Sequence, residues 1–109
     1  MLFRSNVILG ARRVERLQEV AARVRQAGAA SAHVHGLDVA STPSTNTFAD
    51  WVKSLTPKLD VLINNAGGAH GIDTVANGKD EDWIAMVESN LLGLMRVTRA
   101  LLQIGRAHV

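Results

Sequence analysis

Four places in this 109-residue chain carry residues whose types and spacing could do chemistry: Arg12 with Arg13, Asp38 with Val39, the run Asn64, Asn65, Ala66 and Gly67, and Asn90. The first three stand directly after short apolar runs. In an open parallel sheet, ligands bind outside the carboxyl ends of the strands, so these are the positions to inspect. Arg12 and Arg13 put two guanidinium groups at one such end; unless they meet an anion, they are solvated side chains at a helix start, where the dipole slightly disfavours them. Asp38 can cap the turn that follows it. The small residues after Asn64 let a backbone approach a ligand closely, and asparagine amides can tie neighbouring strands together, although the same run also reads as a plain turn. Asn90 falls within a helical stretch, a poor place for asparagine unless its side chain has a specific partner.

His33 and His35 lie two apart on a strand and share a face, which is ligand-like spacing. No carboxylate or third histidine is placed to complete a shell, and there is no cysteine, so no metal site is expected. His70 falls in a glycine-rich loop, a setting that points to mobility more than to chemistry.

The elements that must position these residues follow from periodicity. Asn6–Ala11, NVILGA, reads as a buried strand. Val14, Leu17, Val20, Ala21 and Val24 fall on one face of a helix of about four turns that stops near Gly28. Ala32–Val39 reads as a second strand. Ser41–Ser44 with Pro43 starts a helix striped by Phe48, Trp51, Val52 and Leu55, and Pro57 ends it. Leu59–Ile63 forms a third strand, a Gly-rich loop runs from Gly67 to Gly78, and a last helix begins near Asp80 as N-cap. Glu81 and Asp82 favour its dipole, and Trp83, Met86, Val87, Leu91, Leu94 and Met95 form its buried face. Strand and helix alternate three times, the pattern of an α/β protein with a doubly wound parallel sheet, in one domain or part of one.

Apolar residues make up 47% of the chain, enough for a core. A net charge of +2 with scattered arginines gives little support to nucleic-acid binding. No apolar run approaches the roughly 18 residues of a membrane span, and the composition suits a soluble, cytoplasmic protein.

In sequence the pieces GARRVERL, LDV, LINNAGG and DEDWIAMVESNLLGLMRVTRALL, in this order and spacing over residues 6–102, resemble the classical short-chain dehydrogenase/reductase family. The resemblance implies the second strand through the fourth helix of a Rossmann fold, and an oxidoreductase that moves a hydride between NAD(P) and a carbonyl or alcohol. It implies that Asn64, Asn65, Ala66 and Gly67 approach the adenosine and its ribose, that Asp38 meets the adenine amino group with Val39 beside the ring, and that Asn90 holds a water in a proton relay. Arg12 and Arg13 stand where NAD-preferring members carry an acidic residue, so the resemblance is to the NADP-preferring branch. A charge-assisted hydrogen bond to the 2′-phosphate contributes about 1.5 to 3 kcal/mol. Within the family the pieces look most like members acting on 3-hydroxy acids and related small alcohols, and members commonly pair the helix matching 80–102 in a homo-oligomer. A noncatalytic nucleotide-binding or dimerisation module is the alternative.

The family's opening strand with its TGxxxGxG turn is expected before Asn6, and its serine and YxxxK pair beyond Leu102. The chain has no tyrosine to act as general acid, so these residues alone are expected to be an inactive internal fragment. Leu2–Ser5, LFRS, and Ile104–Val109, IGRAHV, resemble translated ends of sequencing adapters. Without the opening strand, two unpaired sheet edges are expected.

Overall fold

The computed structural model describes residues 5–66 and 74–105. Its contacts fall into two compact units, Met1–Asp38 and Val39–Val109.

In the first unit, strand β1 (Asn6–Ala11) is followed by helix α1 (Val14–Gln26) and strand β2 (Ser31–Gly36). The two strands pair in parallel, in a register running from Asn6 opposite Ser31 to Ala11 opposite Gly36. Parallel neighbours cannot be joined by a tight hairpin, so α1 supplies the crossover and packs on both strands. It buries Leu17 and Ala21, with Ala32 and Leu37 completing this small core. Val14 and Val20, expected on the buried face, are exposed. Gly28 ends the crossover at a φ of 111°, which strains any residue with a Cβ, and the Ala29 N–H reaches back to the Val24 carbonyl at 3.2 Å. Two side chains fasten the far end of the ladder: Ser31 Oγ donates to Asn6 Oδ1 at 2.7 Å, and Arg25 donates to the Ala32 carbonyl at 2.6 Å.

The second strand was expected to reach Val39, but it stops at Gly36. The Leu37 N–H makes the last bond, 2.9 Å to the Ala11 carbonyl. Beyond Ala11 the neighbouring chain turns into α1, so there is no further backbone to pair with.

The second unit is helical among the described residues. Helix α2 (Thr42–Leu55) is capped by Ser41, whose Oγ accepts from the Ser44 N–H at 3.1 Å, with Pro43 in the first turn. It buries Thr45, Phe48, Ala49 and Val52, and the Phe48 and Trp51 rings sit 5.6 Å apart. Helix α3 (Asp80–Met86) continues through a π-helical stretch, Val87–Leu92, into helix α4 (Gly93–Leu102). α4 packs against α2 and buries Gly93, Val97 and Leu101, with Ile104 just beyond.

Three expectations are corrected here. Lys79, not Asp80, is the N-cap of α3: the Asp82 and Trp83 N–H groups both donate to its carbonyl, and no side chain caps that end. Residues 59–63 form no strand among the described residues; only Val61 makes an isolated ladder contact. Val61 and Ile63 are exposed, and a strand without a ladder has nothing to hold it extended. The face Trp83, Val87, Leu91, Leu94 and Met95 was expected to be buried but is exposed. The cause is the π-helical stretch: one residue inserted into a helical turn rotates everything downstream by about 100°, which carries Gly93, Val97 and Leu101 onto the packed side.

Candidate functional site

In the first unit, β1 and β2 end as the paired residues Ala11 and Gly36, so Arg12–Arg13 and Leu37–Asp38 leave the sheet side by side at its carboxyl edge. Arg13 is the N-cap of α1, using its backbone carbonyl rather than its side chain: it accepts from the Arg16 and Leu17 N–H groups at 3.1 and 3.2 Å. Both guanidinium groups belong to exposed residues, and among the described residues neither makes a hydrogen bond or ion pair. They stand at the positive end of the α1 dipole, so two cations and unpaired first-turn N–H groups favour an anion there. Asp38 is exposed beside them on the neighbouring strand end. His33 and His35 also lie on β2, and His35 Nδ1 donates to the Gly36 carbonyl at 2.7 Å.

In the second unit, Val39 is half-buried against Gly93. Asn64 Nδ2 donates to Thr98 Oγ1 at 3.1 Å, tying the end of the third apolar run to α4. Asn65 and Ala66 follow as exposed residues. Gly67, and with it His70, lies outside the described residues. Asn90 sits in the π-helical stretch next to Ser89, whose hydroxyl is 3.1 Å from the Ala85 carbonyl and 3.4 Å from Asn90 Oδ1. Hydroxyls that bond back to a carbonyl four residues earlier loosen the helical ladder, and π-helical turns recur at functional sites.

Sequence reasoning missed Thr98, Arg96 and Glu88. Arg96 Nη1 donates to the Ala40 carbonyl at 3.1 Å and to Glu88 Oε2 at 2.8 Å. The spacing of Glu88 and Arg96 exceeds the three or four residues at which helical side chains meet, so no sequence rule marks the pair. Thr98 is recognisable only once Asn64 is seen to reach it.

The sequence model of the short chain dehydrogenase family matches residues 4–107. The chain belongs to that family. An NADP-dependent 3-hydroxy acid dehydrogenase of Schizosaccharomyces pombe is 36% identical over 98 residues, which are 90% of this chain and 38% of that protein. A serine 3-dehydrogenase of Agrobacterium fabrum is 34% identical over 98 residues, 88% of this chain and 37% of that one. Among solved structures, an alcohol dehydrogenase of Thermococcus sibiricus complexed with 5-hydroxy-NADP superposes with a TM-score of 0.83 at 31% identity, covering 92% of this chain and 44% of its own. An actinorhodin polyketide ketoreductase with NADPH gives 0.82 at 33% identity, covering 92% and 41%. This short-chain dehydrogenase chain thus spans well under half the length of these relatives. Its fold is the α/β arrangement of part of a Rossmann domain. Among the described residues, no helix is long and apolar enough to cross a membrane.

Proposed function

We propose that this chain forms the adenosine-side part of the cofactor site of an NADP-preferring oxidoreductase. The observation that carries the reading is the paired ends of β1 and β2, which set two unpartnered guanidinium groups next to Asp38 at the carboxyl edge of a parallel sheet. Arg12 and Arg13 would hold the 2′-phosphate, Asp38 the adenine amino group, Val39 a face of the ring, and Asn64, Asn65, Ala66 and Gly67 the ribose side. NADPH, when bound, supplies a hydride to a carbonyl carbon. Asn90 would hold a water that returns a proton to the general acid, which the family takes from a tyrosine that these 109 residues do not contain. The segment alone is therefore expected to bind without turning over substrate.

The relatives named for 3-hydroxy acids and for serine support a small hydroxy-acid substrate, and with it a cytoplasmic protein that acts on small molecules rather than on nucleic acid or membranes. Replacing both arginines, Arg12→Asp with Arg13→Asp, should abolish any preference of the chain for 2′,5′-ADP over 5′-AMP in calorimetric titration. An unchanged preference would remove the arginines from the site.

A second reading, a dimerisation module, is favoured by the exposed apolar stripe of Trp83, Val87, Leu91 and Met95. It is compatible with the first, since a homo-oligomeric enzyme would use both. Leu91→Glu should then lower the association state seen in sedimentation without changing nucleotide binding.

A further inference from the structure

We propose that Gly93 and Arg96 are positioning residues that set the adenine-side wall of the site by holding Val39 and Ala40 against α4. The proposal rests on the nucleotide reading above and extends it to two residues that touch no cofactor.

Two contacts of different kind converge on consecutive backbone positions. A Cβ at Gly93 would lie 2.8 Å from Val39 Cγ2, 2.9 Å from Val39 Cβ and 2.9 Å from the Val39 carbonyl oxygen. Gly93 has helical dihedrals, φ −60° and ψ −44°, so its backbone does not require glycine. Glycine within a helix costs about 1 kcal/mol relative to alanine, and here the missing side chain is what lets the 39–40 turn approach the helix axis. Three residues on, on the same face, Arg96 is 22% exposed and donates to the Ala40 carbonyl while Glu88 holds the same guanidinium nitrogen. Gly93 thus sets how near Val39 comes to α4, and Arg96 sets where the next carbonyl points. The wall is placed by a steric limit on one side and a charge-assisted hydrogen bond on the other. Moving either displaces the Val39 side chain from the plane against which a purine would pack.

The test is titration of the full chain and its variants with 2′,5′-ADP, read by calorimetry and by the amide signals of Val39 and Ala40. Gly93→Ala and Arg96→Ala should each weaken binding about tenfold, or 1.4 kcal/mol, with those two amide signals displaced in the unliganded state. Adding Val39→Ala to Gly93→Ala removes the side-chain part of the collision and should restore part of the lost affinity, which a merely structural defect would not allow. Arg96→Lys keeps the charge and most of the packing, so it decides the matter if Gly93→Ala does not fold; it too should weaken binding. If the parent chain binds 2′,5′-ADP and the folded variants bind it equally well, the positioning role is overturned while the nucleotide reading stands. If the parent chain does not bind 2′,5′-ADP, the nucleotide reading falls and takes this proposal with it.

Discussion

Asn64 and Thr98, 34 residues apart in sequence, are joined by a 3.1 Å hydrogen bond from the asparagine amide to the threonine hydroxyl. It anchors residues 64–66 to α4 in a part of the chain where no strand ladder does so among the described residues. Removing either partner, by Asn64→Ala or Thr98→Val, should cost about 0.5 to 1.5 kcal/mol. The two losses should not add, because each removes the same bond. Urea unfolding of the single and double variants checks this, and full additivity would show that the bond is not made.

The π-helical stretch makes a second prediction, about which leucines matter. Leu101 is 4% exposed and Leu91 is 55% exposed. Leu101→Ala should cost about 2 to 5 kcal/mol, and Leu91→Ala less than about 0.5 kcal/mol. A straight helix of uniform period, as read from the sequence, would place Leu91 on the packed face. Thermal midpoints of the two variants decide between the registers.

The helix starts make a third. Ser41 caps α2 with its side chain, and Ser41→Ala should cost about 1 kcal/mol. Lys79 occupies the same position on α3 without a side-chain bond, so Lys79→Ser should raise stability by up to about 1 kcal/mol. Denaturant midpoints moving in opposite directions would support both assignments.

A fourth concerns Trp83, whose indole lies over Gly78; a Cβ at position 78 would come within 2.8 Å of its Cε2 and Nε1 atoms. Gly78→Ala should push the ring outward and red-shift the emission of Trp83, measured in a Trp51→Phe background. Unchanged emission would contradict the contact.

How much of this was legible in the sequence depends on the range of the forces involved. α1 and α2 could be read directly because their caps and stripes are local: Ser41, Pro43 and Gly28 act on backbone within a turn of themselves. The strand ends at Ala11 and Gly36, and with them the placement of Arg12, Arg13 and Asp38, followed from the βα alternation. The third strand did not, because Val61 and Ile63 need ladder partners that their own residue types cannot provide. The buried face of α4 did not either, because a change of helical period at Val87–Leu92 leaves no mark in a pattern read at 3.6 residues per turn. Thr98 and Arg96 were invisible for a simpler reason: their partners, Asn64 and Ala40, are distant in sequence.

The central claim is that the paired strand ends carrying Arg12, Arg13 and Asp38 recognise an adenosine 2′-phosphate. The most direct measurement is calorimetric comparison of 2′,5′-ADP and 5′-AMP binding to the parent chain at low and moderate salt. The account predicts roughly ten- to a hundredfold tighter binding of 2′,5′-ADP, in keeping with about 1.5 to 3 kcal/mol for a charge-assisted hydrogen bond, with the difference shrinking as salt rises. Equal affinity for the two nucleotides would contradict it.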